Sequence, residues 1–151
     1  MPTSDSDGIE SLRTLNVEVV ARSSVPVRAT QGSAAYDVKA HKAAVIPPYQ
    51  TGAVALNLRV ATPPDHFMQL LSRSGLALKG ITVEGGVIDS DYTGEIQVIL
   101  KNSTGTPFKV QKGQRVAQAI FLPVLRANFQ TVEELSTQDG PQHLGFGSTG
   151  I

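Results

Sequence analysis

Turn residues cut the chain into short lengths. Pro47-Pro48, Pro63-Pro64-Asp65, Gly85-Gly86, the run 102–107 and Lys112-Gly113 interrupt it, roughly one break in every ten residues. Between the breaks, apolar residues alternate: Leu15, Val17 and Val19, then Val54, Leu56, Leu58 and Val60, then the start of "EIQVIL" at 95–100. Successive side chains of a strand point to opposite faces, so this period predicts half-buried strands. Only "GLALKG" and "TVEEL" leave room for a helical turn or two. A βαβ crossover needs a dozen or more residues, which argues against a parallel sheet and a dinucleotide crevice. The expectation is an all-β sandwich or barrel.

A length of 151 residues fits one domain with a real core. Its ends differ from its middle. Residues 1–14 are mostly small and polar and are expected to form a disordered extension, with a β-domain over 15–135. From 136 the chain reads "STQDGPQHLGFGSTGI", too poor in apolar residues to offset its ordering entropy by burial, so a mobile arm is expected. Thirteen Lys and Arg balance thirteen Asp and Glu, leaving no field to attract nucleic acid. There is no cysteine, which excludes disulfides, thiol catalysis and Cys-bound zinc. His41, His66 and His143 lack metal-ligand spacing and read as surface or packing residues. No apolar run approaches the ~20 residues that span a bilayer, and the N-terminus is unlike a signal or transit peptide. The expectation is an intracellular soluble protein, in cytoplasm or nucleus, with neither membrane nor nucleic acid as partner.

Five stretches carry chemistry. "GGVIDSDYTGEIQVIL" at 85–100 reads as a β-hairpin with Asp89, Asp91 and Tyr92 near its tip. A slot between hairpin strands would offer backbone donors and acceptors to a flat heterocycle, with Asp89 as a candidate base. Equally, an Asp in a turn bonds its own backbone. "LLSRSGLALKG" sets Arg73, Ser74 and Gly75 after an apolar strand, a fork of donors, a hydroxyl and a bare backbone that suit an anion. A surface Arg beside a turn is the alternative, and no P-loop pattern occurs. "GSAAYDVKA" places Asp37 in a strand, where a half-buried carboxylate needs a cation or donor. "KGQRVAQAIFLPV" places Gln118 in an apolar strand, with the same need. The tail's "GFGSTG" has the parts to cover a phosphorylated aromatic ligand, or is a frayed end.

Taken in chain order, the stretches resemble the five motifs of the trimeric deoxyuridine triphosphatases (dUTPases), from near Val25 to the C-terminus. "AAYDVKA" looks like the first, "SRSGLA" the second, "GGVIDSDYTGE" the third, "KGQRVAQAI" the fourth and "GFGSTG" the fifth. The resemblance implies a β jelly roll assembled as a homotrimer, with active sites at subunit boundaries. The implied reaction converts dUTP to dUMP and pyrophosphate, which keeps uracil out of DNA and supplies dUMP for dTMP synthesis. Asp89 would be the general base that orients water toward the α-phosphorus. Carboxylates are weak bases near neutrality, so positioning supplies most of the gain. Mg²⁺ would span the phosphates, with Asp37 reaching it through water. Arg73, Ser74, Gly75 and Gln118 would contact phosphates, and the backbone of Gly86, Val87 and Ile88 would pair with uracil. Tyr92 would pack beneath deoxyribose and exclude a ribose 2′-OH. Phe146 would stack on the base, with Gly147, Ser148 and Thr149 near the γ-phosphate.

The chain departs from this pattern at three places. Ala35 stands for a usual Gly, and Gln114 for a usual acid beside an Arg. Pro141-Gln142-His143-Leu144 replaces a run that generally contains an Arg meeting the γ-phosphate, with His143 as a stand-in. A weakened arm is expected. The rival reading from another class is a dUTPase-like binding or regulatory protein with weak or no hydrolysis. The related dCTP deaminases and a plain jelly-roll interaction module are further alternatives.

Overall fold

The computed structural model describes residues 14–22 and 25–136. The predicted strands form as β1 (Glu18–Ala21), β2 (Tyr36–Lys39), β3 (Ala44–Ile46), β4 (Thr51–Ala55), β5 (Leu58–Ala61) and β6 (His66–Leu71). After one short helix, α1 (Ser74–Leu78), come β7 (Ile81–Glu84), β8 (Val87–Ile88), β9 (Gln97–Asn102), β10 (Phe108–Val110) and β11 (Arg115–Pro123). Every strand pairing is antiparallel, in sheets ordered β2-β11-β6-β8, β4-β9-β7, β1-β5 and β10-β3. This is the all-β jelly roll that the sequence predicts. Among the described residues no helix is long and apolar enough to cross a membrane.

One core joins the sheets. Met68 and Leu70 from β6, Val98 and Leu100 from β9, and Ala117 and Ala119 from β11 are all buried. The run Val54, Leu56, Leu58 and Val60 is buried at every second residue as expected, yet it is not one strand. The chain breaks at Asn57, whose φ of 51° suits a residue whose short polar side chain tolerates the left-handed region. There it passes from the β4 sheet to the β5 sheet. "GLALKG" supplies α1, but "TVEEL" at 131–135 forms no helix.

The 85–100 segment corrects the hairpin reading. β7, not β8, pairs with β9, and the last pair is Glu84 with Ile99. Beyond it the two arms separate. β8 joins β6 in the four-stranded sheet, while Ile96 exchanges backbone bonds with Leu56 and Leu58. Gly85 (φ 63°) and Gly86 (φ 101°) make this divergence possible. A Cβ on Gly86 would stand 2.6 Å from the Leu70 carbonyl oxygen.

Candidate functional site

The centre of one half of the site is β11, which lies between β2 and β6. Gln118 stands opposite Asp37 on one side and Leu71 on the other. Residues directly opposite in an antiparallel pair point to the same face, so Asp37 and Gln118 share the outer face while Val38, Ala117 and Ala119 fill the core. Gln118 Nε2 donates to the Ser72 carbonyl at 2.8 Å, which ties β11 to the end of β6. Arg73 follows Ser72 and precedes α1. Its Nε lies 3.9 Å from Asp37 Oδ1, and Arg115 Nη1 lies 3.9 Å from Asp37 Oδ2. Arg73 Nη1 also donates to the Arg115 carbonyl at 3.2 Å. The predicted partners of Asp37 and Gln118 are therefore present, and two guanidinium groups against one carboxylate leave this end positive. Ser74 and Gly75 are exposed beside it. A Cβ on Gly75 would meet nothing, so no packing within the chain calls for glycine there.

The other half is at the far end of the same sheet. β8 is an edge strand, paired with β6 on one side only. Past the Glu84–Ile99 pair, β9 is bonded to β4 alone. The arms thus enclose a slot with free backbone edges. At its mouth residues 89–92 form a turn in which Tyr92 N donates to the Asp89 carbonyl at 3.1 Å. The Asp89 carboxylate is exposed and takes no hydrogen bond among the described residues. The turn uses the backbone of Asp89 and leaves its side chain unengaged. Tyr92 Oη donates to the Glu95 carbonyl at 2.7 Å, fixing the ring against Gly94.

Within one chain the two halves do not meet. Asp89 continues β8 to the level of Phe67, four residues along β6 from Leu71. At about 3.3 Å per residue and about 4.8 Å per strand, Asp37 and Asp89 are separated by on the order of 20 Å. Phe146, Gly147, Ser148, Thr149 and His143 lie outside the described residues. The sequence reading did not single out Arg115. Its signal was its place within the fourth motif, beside Gln114, whose side chain accepts from Gln111 N at 2.9 Å.

Fold and site together define a jelly-roll protein with a cationic sheet end suited to a phosphorylated ligand. The family model for dUTPase matches residues 21–150, and the chain belongs to the dUTPase family. It is similar to the deoxyuridine 5'-triphosphate nucleotidohydrolase of Debaryomyces hansenii, 41% identical over 129 residues, 83% of this chain and 80% of the relative. The enzyme of the same name from Vaccinia virus (strain Copenhagen) is 38% identical over 136 residues, 89% of this chain and 91% of the relative. Among solved structures, a mutant dUTPase of Staphylococcus bacteriophage 80alpha with dUpNHpp has a TM-score of 0.79 at 23% identity, covering 91% of this chain and 99% of that one. A mutant dUTPase from phage phi11 of S. aureus, described with a structural Mg(II) ion, has a TM-score of 0.73 at 22% identity, covering 82% and 99%. These two likenesses show the fold.

Proposed function

We propose that the protein is a dUTP diphosphatase, hydrolysing dUTP to dUMP and pyrophosphate and so keeping uracil out of DNA while supplying dUMP for dTMP synthesis. Family membership supports the reaction, and one observation carries its assignment to residues. The Asp89 carboxylate stands free at the mouth of a slot whose backbone edges are unpaired. In this reading the backbone around Gly86, Val87 and Ile88 pairs with the uracil edge. Tyr92, held by its bond to Glu95, packs beneath the deoxyribose. Asp89 orients a water and accepts its proton as the water attacks the α-phosphorus. Arg73, Ser74, Gly75 and Gln118 take the phosphates, and the open space at Gly75 lets backbone approach them. Phe146, Gly147, Ser148 and Thr149 complete the cover from the tail.

The donor set suits Mg²⁺ held from a distance. The described residues contain no cluster of three metal-ligating side chains. A single half-buried carboxylate, Asp37, fits contact through water with an ion that keeps its hydration. When bound, the ion neutralises charge on the phosphates.

The separation of the two halves supports a homotrimer with shared sites. Between them the outer face carries exposed Leu71, Leu122 and Val87. Beyond β11, Leu125 and Phe129 are 96% and 98% exposed. Apolar surface of this kind favours a second copy of the chain, and a neighbour brings its Asp89 end to this chain's Arg73 end. The regulatory alternative is not favoured.

A pyrophosphate-release assay with dUTP, dCTP, dTTP and UTP in the presence of Mg²⁺ tests the reading. Turnover of dUTP alone is expected. Equal turnover of all four, or of none, would reject it.

A further inference from the structure

The segment 89–95 carries Asp89 and Tyr92, yet little of it is packed. Asp91, Tyr92, Thr93, Gly94 and Glu95 are exposed, so burial contributes little to their order. The segment is pinned at its ends by β8, bonded to β6, and by Ile96, whose amide donates to the Leu58 carbonyl at 2.8 Å. Between these points it bonds to itself, from Tyr92 N to the Asp89 carbonyl and from Tyr92 Oη to the Glu95 carbonyl. Among the described residues one hydrogen bond reaches it from another element: Arg59 Nε donates to the Thr93 carbonyl at 2.8 Å. Arg59 lies on β5 between buried Leu58 and Val60, so alternation turns its side chain outward. It has no ion pair among the described residues, and a charged donor makes a stronger bond to a carbonyl than a neutral one. Thr93 directly follows Tyr92, so the bond acts on the residue whose ring and amide hold the turn together.

We propose that Arg59 is a positioning residue: through the Thr93 carbonyl it sets where Asp89 and Tyr92 stand relative to the sugar and the α-phosphorus. This rests on the reading of the slot as a dUTP site and adds a determinant from a strand outside it. The uracil edge belongs to 86–88, where β8 is held by β6 without Arg59. Loosening the loop therefore spares base pairing and KM. It degrades the placement of water and the rejection of a ribose 2′-OH, because a displacement of about 1 Å can cost on the order of 100-fold in rate.

The test uses the full chain and two side chains of matched length. Arg59→Gln puts an amide nitrogen where Nε stands, keeping a donor without the charge, and Arg59→Met keeps the stem with no donor. Arg59→Met is expected to lower kcat for dUTP about tenfold with KM within about twofold, and to lower the preference for dUTP over UTP about fivefold. Arg59→Gln is expected to bring both back to within about threefold of the parent. The Tyr92 amide is expected to exchange its hydrogen about fivefold faster in Arg59→Met than in the parent or Arg59→Gln, at an unchanged melting point. The proposal is overturned if Arg59→Met keeps the parental kcat and preference, or if Arg59→Gln is as impaired as Arg59→Met. It is also overturned if exchange at Tyr92 is equal in all three, or if Arg59→Met lowers the melting point and changes kcat and KM together. Exchange needs no turnover and so judges the fastening by itself, whereas a parent that hydrolyses no dUTP rejects the functional reading.

Discussion

Asp89 and Asn102 are two polar residues in turn-rich sequence, with opposite uses. Asn102 is fully buried. Its Nδ2 donates to the carbonyls of Ile46, Pro47 and Thr106, and its Oδ1 accepts from Thr104 N and Oγ1. One side chain thereby clamps the 103–107 loop to the end of β3. Asn102→Ala would leave several of those groups without partners, so a loss of about 2–4 kcal/mol is expected, seen as a melting point lowered by roughly 10 °C. Asp89→Asn should do the reverse. Because the turn uses only the backbone carbonyl of Asp89, melting is expected to stay at the parental value. Pyrophosphate release should fall by about 10²–10⁴ in kcat, with KM little changed. Parental turnover in Asp89→Asn would remove Asp89 from the mechanism. The sequence could not separate these two residues by type, since Asn and Asp are ordinary in turns. Motif order found Asp89, and no comparable signal pointed to Asn102.

The strands were readable from alternation, but their partners were not. Period two places Val54, Leu56, Leu58 and Val60 in the core whether or not the chain changes sheet at Asn57, because burial depends on the face and pairing depends on φ and ψ at one residue. The bulge at Val116, where the register of β11 with β2 shifts between Arg115 and Ala117, is hidden for the same reason, since a register shift belongs to two strands and local sequence describes one. β8 illustrates the consequence for the site. It is only Val87–Ile88, and its position depends on Gly86 crossing close to the Leu70 carbonyl. Gly86→Ala would put a Cβ 2.6 Å from that oxygen at a φ of 101°, where an L side chain is strained. A cost of about 1–3 kcal/mol is expected. The slot edge should move with β8, so KM for dUTP should rise more than kcat falls. A Gly86→Ala enzyme with parental KM and melting point would show that β8 does not set the slot.

At the scale of the molecule, the distance between the Arg73 end and the Asp89 end decides how sites are assembled. If each site takes Arg73 from one copy and Asp89 from a neighbour, two inactive variants can repair each other. Arg73→Gln and Asp89→Asn, each purified and each expected to have little activity, are co-refolded in equal amounts. In a closed ring of three, a site works when the copy giving Arg73 is an Asp89→Asn chain and the copy giving Asp89 is an Arg73→Gln chain. Random assembly makes about a quarter of the sites intact, so roughly a quarter of parental turnover is expected to return on mixing. A site built within one chain would regain nothing, because every copy carries a lesion. Light scattering on the same samples gives the mass of the assembly, and a monomer would exclude the exchange directly. The exposed Leu71, Leu122 and Val87 strip supplies a further control on the same mixture. Leu122→Glu would bury a charge if that strip joins the copies. It is then expected to lower both the mass and the recovered activity while leaving the core, which faces the other side of β11, intact.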